Sequence, residues 1–165
     1  NRKLTGIVSL AFLLRKKVHI KGFVFKKPQK AYERHSILSY QRIYGDSYTI
    51  EEGGITGIGN NVTIEFGEMD FGIRGTQKLI ICGRSLIDKN SIHIRFNGKE
   101  GETVRLVEFE YSGDYRERVF DMDNITGLQK VSFVFLPGSH FDFKWFQFKE
   151  KNREISESFE QKIKM

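Results

Sequence analysis

The stretch Leu136 to Phe148, reading L-P-G-S-H-F-D-F-K-W-F-Q-F, holds the only tryptophan and four of the fifteen phenylalanines of this 165-residue chain. A Pro-Gly turn followed by closely spaced aromatics predicts a strand buried on both sides, with Asp142 and Lys144 sharing one face near its start. Such a strand belongs in the middle of a β-sandwich, and its polar start belongs at the rim.

The segments before it read the same way. Val18 to Phe25 alternates as a first strand and stops at Lys26-Lys27-Pro28. Polar and apolar positions separate cleanly in Val62 to Phe66, which ends at Gly67, whereas Lys78 to Gly83 is apolar on both faces and belongs centrally in its sheet. Ile92, Ile94 and Phe96 alternate with His93, Arg95 and Asn97, and Asn97-Gly98 carries a hairpin signal. Val107, Phe109 and Tyr111 alternate before the Ser112-Gly113-Asp114 turn, and Val119-Phe120 and Val131 to Leu136 supply further strands. Roughly nine short strands at regular spacing, with no helical period between them, predict an all-β, antiparallel sandwich of jelly-roll type.

With 39% hydrophobic residues, a chain of this length builds one core and not two. The expected organisation is a lead-in over 1–17 from a preceding domain, a sandwich over 18–149 and a charged tail over 150–165. Ile155, Phe159 and Ile163 lie four apart in that tail, which suits either a terminal helix with one apolar stripe or a frayed end. The chain begins at Asn1, as an excised or processed piece would. Leu4 to Leu14 is apolar between basic flanks, but a bilayer span takes about 20 apolar residues and no small-residue cleavage site follows. A strand or short helix touching missing chain is the reading, with no membrane partner.

The formal net charge of +6 lies mostly at the N-terminus, since residues 1–17 hold five basic residues and no acid, and 18–149 hold 18 basic against 17 acidic. Lacking a basic face to displace counterions, the body has no drive toward nucleic acid. The single cysteine, Cys82, sits in the run Leu79-Ile80-Ile81 and reads as a small core residue; with no disulfide framework, a cytoplasmic setting is expected.

Catalytic chemistries ask for more than the residues offer. His19, His35, His93 and His140 are isolated, without the closely spaced pair a jelly-roll metal site uses. Glu65, Glu68 and Asp70 are the carboxylates a small independent glycosidase could employ, but at a strand end beside Gly67 they read as solvated rim charges. No serine elbow, phosphate loop or dinucleotide fingerprint is present. Sugar binding asks for aromatic faces beside Asp, Asn or Arg in rim loops. Tyr115, after Ser112-Gly113-Asp114, and Tyr44 and Tyr48, around Gly45-Asp46, are aromatics in that setting.

Taken in order, Tyr32-Glu33, Gly57-Ile58-Gly59-Asn60-Asn61-Val62, Met69-Asp70-Phe71-Gly72, Ser112-Gly113-Asp114-Tyr115 and Phe141-Asp142-Phe143-Lys144-Trp145-Phe146 resemble the carbohydrate-binding modules of family six. The phrases Lys17 to Phe25, Ile81-Cys82-Gly83-Arg84-Ser85 and Phe135-Leu136-Pro137-Gly138-Ser139 are more similar to the variant at the C-terminal end of bacterial family-two glycoside hydrolases of the β-galactosidase kind. The similarity covers about residues 17 to 148. It implies a galactose-binding-like jelly roll and a non-catalytic accessory domain contacting upstream domains of a parent hydrolase, either binding carbohydrate or serving only as a packing module.

The resemblance places the loop aromatic of the sugar site on Tyr115 and its last-strand polar residue on Asp142, the one stacking and the other accepting hydroxyl hydrogen bonds. A second stacking aromatic has no equivalent, since Ile55 and Ile58 occupy that region, which implies weak or lost binding. The positions that hold structural calcium in the family read Ala31, Glu33 and Lys144, which removes two oxygen ligands. No metal or cofactor is expected, and Lys144 is expected to pair with Glu33.

Overall fold

The computed structural model describes residues 27–152; the expected strand Val18 to Phe25, the lead-in and the tail beyond Asn152 lie outside the described residues. Twelve strands follow in chain order: β1 (Gln29–Lys30), β2 (His35–Ser36), β3 (Arg42–Tyr44), β4 (Thr49–Glu51), β5 (Gly54–Ile58), β6 (Thr63–Asp70), β7 (Thr76–Ser85), β8 (Lys89–Gly98), β9 (Gly101–Glu110), β10 (Arg116–Ile125), β11 (Leu128–Phe135) and β12 (Phe141–Glu150). They form two six-stranded sheets. The first runs β1-β6-β11-β8-β9 with β3 also on β6, and the second runs β10-β7-β12-β5-β4 with β2 also on β12. All pairings are antiparallel except the short β1–β6 contact. Among the described residues no helix is long and apolar enough to cross a membrane.

The core is aromatic. Phe141, Phe143, Phe146 and Phe148 of β12 are all fully buried, and Phe133 meets Phe143 edge-on at 5.2 Å between ring centroids. The expected burial of β12 on both faces holds in that no residue from Phe141 to Phe148 is exposed, but its register departs from simple alternation: pairing with β7 shifts between Phe143 and Trp145. One extra residue at Lys144 bulges the strand and changes its parity. All four phenylalanines therefore meet the core, while Asp142, Trp145 and Gln147 turn to the outside of the second sheet.

The same register places Cys82 opposite Trp145 and Glu117, on the outer face of β7 and not in the core. It is a free, buried cysteine, and burial pushes its thiol pKa up, away from the reactive thiolate. The β8–β9 hairpin also turns later than Asn97-Gly98 suggests. Gly98 pairs with Gly101, leaving Lys99-Glu100 as the two-residue loop, because Gly101 at φ 113° supplies the left-handed conformation that closes it.

Candidate functional site

Two surfaces carry the aromatics expected to meet a ligand. At the rim, Tyr115 ends the loop before β10, and the register sets Asp142 opposite Arg84. The two expected residues are thus brought to one place, but Asp142 is 2% exposed. Its Oδ1 accepts the Gly57 backbone N–H at 2.8 Å, and its Oδ2 accepts Arg84 Nε–H at 2.7 Å and pairs with a second guanidinium nitrogen. The expectation of an open hydroxyl acceptor is corrected here: the carboxylate is spent on tying β5 and β7 to β12. Asp142 in turn holds the Arg84 guanidinium pKa above its ordinary value.

The Tyr115 ring is engaged as well. The Lys144 ammonium sits 3.9 Å from its ring centroid, and the Arg84 guanidinium lies 5.5 Å from it. Burial, helped by the Asp142 charge, raises the Tyr115 hydroxyl pKa. The expected Lys144–Glu33 pair does not form, since Glu33 bonds Lys30 at 3.1 Å, its neighbour three residues back. Ala31 is buried as a methyl, so the three positions offer one carboxylate, already engaged, and do not fit a calcium ion. Among the described residues no group of three or more His, Cys, Asp or Glu side chains is placed to hold a metal.

The other surface is the outer face of the first sheet, where an open groove of about 420 Å³ crosses the strands. Tyr44 on β3 stands opposite Thr63, which stands opposite Val134. One row along, Glu65 faces Ser132 and Ser132 faces Arg95, while Asn97 lies between Lys130 and Glu102. All of these line the groove. Tyr44 is 42% exposed, donates its hydroxyl to Glu65 Oε1 at 3.0 Å and has the Arg42 guanidinium 4.8 Å from its ring centroid. Arg95 reaches Glu102 at 3.7 Å, and its buried Nε–H finds no acceptor among the described residues.

The expected site residues are therefore divided between the two sheets. Tyr44 belongs to the groove, Tyr115 and Asp142 to the opposite side, and Tyr48 packs partly buried against the core. Of the carboxylates weighed for glycosidase chemistry, Glu65 is held by Tyr44, and Asp70 accepts the Gly72 N–H at 2.8 Å in a turn. Sequence reasoning missed Arg95, Asn97, Lys130 and Ser132. Their signal was the polar half of each alternating strand, which reads as ordinary solvent-facing surface until the strands are set side by side.

No family model matches the chain, and no curated protein matches it. Solved structures do. A family 6 carbohydrate-binding module from Clostridium cellulolyticum, in complex with xylose, superposes with a TM-score of 0.63 at 24% identity, covering 74% of this chain and 100% of that one. A β-1,3-glucan-binding family 6 module from Bacillus halodurans gives 0.62 at 19% identity, covering 74% and 99%. A family 43 arabinoxylan arabinofuranohydrolase from Bacillus subtilis, in complex with cellotetraose, gives 0.64 at 24% identity, covering 81% of this chain but 30% of the hydrolase. The two-sheet jelly roll described above is the fold of these carbohydrate-binding modules.

Proposed function

We propose that this chain is a non-catalytic carbohydrate-binding domain that takes a galactoside or related polysaccharide into the groove on the first sheet. The observation that carries the reading is the groove's lining, an exposed tyrosine beside a row of hydrogen-bonding side chains across several strands. A pyranose offers C–H faces to an aromatic ring and hydroxyls to such donors and acceptors. Arg95 lines the groove with its guanidinium at its Glu102 partner, where a ligand oxygen would compete for the same terminal nitrogens. We further propose that the domain is an accessory part of a cytoplasmic, bacterial hydrolase of the β-galactosidase kind. This rests on the sequence phrases that resemble that variant, and on the recurrence of the fold as a minor part of a longer hydrolase.

Isothermal titration with galactose, lactose and soluble galactan tests the binding. Heat with at least one, lost in Tyr44→Ala and Arg95→Ala, is the expected result. Heat with none of them overturns it. The isolated chain should not hydrolyse a chromogenic galactoside, and turnover would return the small-glycosidase reading. The packing-module reading is favoured by one observation, the internal use of both Tyr115 and Asp142, and it becomes the better account if titration is silent.

A further inference from the structure

The rim around Tyr115 has every ingredient of a stacking site, and each is already engaged within the chain. We propose that Lys144 closes this rim to sugars, occupying the Tyr115 face on which a pyranose would stack and so making the domain select ligand through the first sheet alone.

Three observations carry this. First, the ammonium lies 3.9 Å from the Tyr115 centroid, well inside the range of a cation attracted to an aromatic face and at the distance a stacked ring would need. Second, Lys144 has no carboxylate within ion-pair distance among the described residues, although Glu33, Glu65, Glu102 and Glu108 elsewhere each hold a cation or a hydroxyl. Its placement is therefore set by the ring and the strand, and not by an ion pair. Third, Lys144 is the residue at the β12 bulge, between Phe143 and Trp145. The extra residue lets its stem leave the sheet on the Tyr115 side while the phenylalanines on either side keep their places in the core.

The remaining polar atoms close ranks around it. Asp142 is sealed by Gly57 and Arg84, so a sugar reaching Tyr115 would have to displace the ammonium before gaining any new hydrogen bond. The closure is independent of what fills the groove on the other sheet.

Titration followed by the Tyr115 ring resonances of the isotopically labelled chain tests it, with galactose, lactose, cellobiose and xylobiose as probes. In the unaltered chain those resonances should stay fixed up to millimolar sugar. In Lys144→Ala they should move, with affinity for at least one probe rising by roughly three- to thirtyfold, the factor expected for removing a competing cation from an aromatic face. The gain should vanish in Lys144→Ala combined with Tyr115→Leu. Lys144→Ser serves as a second opening variant, with thermal melts confirming that each variant is folded. Movement of Tyr115 in the unaltered chain, or folded opening variants that gain nothing, would overturn the proposal. Failure of the groove alone would show as no heat from the unaltered chain, or heat unchanged in the Tyr44 and Arg95 variants, with the Lys144 result as expected.

Discussion

At the scale of single residues, the structure is decided by where polar groups find partners. Asp142 is the clearest case, because its burial is tolerable only through the Gly57 N–H and the Arg84 guanidinium. Asp142→Ala should lower stability by about 2–3 kcal/mol, the range for hydrogen bonds to a charged group, whereas Asp142→Asn should cost less because the Gly57 acceptor survives; urea unfolding separates the two. His35 provides a pH test. Its ring stacks on Phe146 at 5.2 Å, and because a carbonyl only accepts, the Nε2 that lies 3.0 Å from the Lys30 oxygen carries a proton. Burial, the leading cause, lowers its pKa, with the Lys30 carbonyl opposing. The folded value lies below the unfolded one, so the neutral ring's contribution is complete above about pH 6.5 and is lost as pH falls through the folded value. The melting temperature should drop on acidification from neutral pH, and His35→Phe should flatten that slope.

Elements show how far the sequence could be read. The alternation in β8 sufficed to give its strand and faces, because it covers one side of a core; β6 instead runs through Gly67, its expected end, to Asp70, and Tyr111, expected in line with Val107 and Phe109, lies beyond β9 and is 58% exposed. The central place of β7 was equally legible from its double-sided apolar run. What could not be read was β12, where F-x-F-x-x-F-x-F breaks the period of two and the bulge restores all four rings to one face. A bulge is a matter of pairing with a neighbour, and no local propensity encodes it. The same limit divided the candidate site. Tyr44 and Tyr115 look alike as loop-edge tyrosines, and only the sheet order sends them to opposite sides. Deleting Lys144 should therefore be tolerated by the core, because the shortened F-x-F-x-F-x-F alternates, stays in register with β7 and keeps all four rings inward without a bulge, and circular dichroism should show a retained cooperative fold. Gly83 offers a smaller test of β7 against β12. A Cβ there would collide with the Phe141 ring and the Asp142 carbonyl, so Gly83→Ala should cost about 1–3 kcal/mol by overpacking, read as a lowered denaturation midpoint.

Across the whole molecule, the sandwich has two outer faces and two ends. Lys30 pairs with Asp70, Glu150 with Thr76, and the Lys151 N–H bonds the Gly75 carbonyl at 2.9 Å. The described chain thus enters and leaves beside the turn between β6 and β7. Ser85 and Phe141, paired with each other at the far ends of β7 and β12, mark the opposite pole, where Asp142 and Tyr115 sit. A ten-residue strand such as β7 spans roughly 33 Å. Lys30 and Lys151 therefore share one pole about a strand length from Tyr115, so a fluorophore attached at Lys151 would stand roughly 33 Å from one placed at the opposite rim.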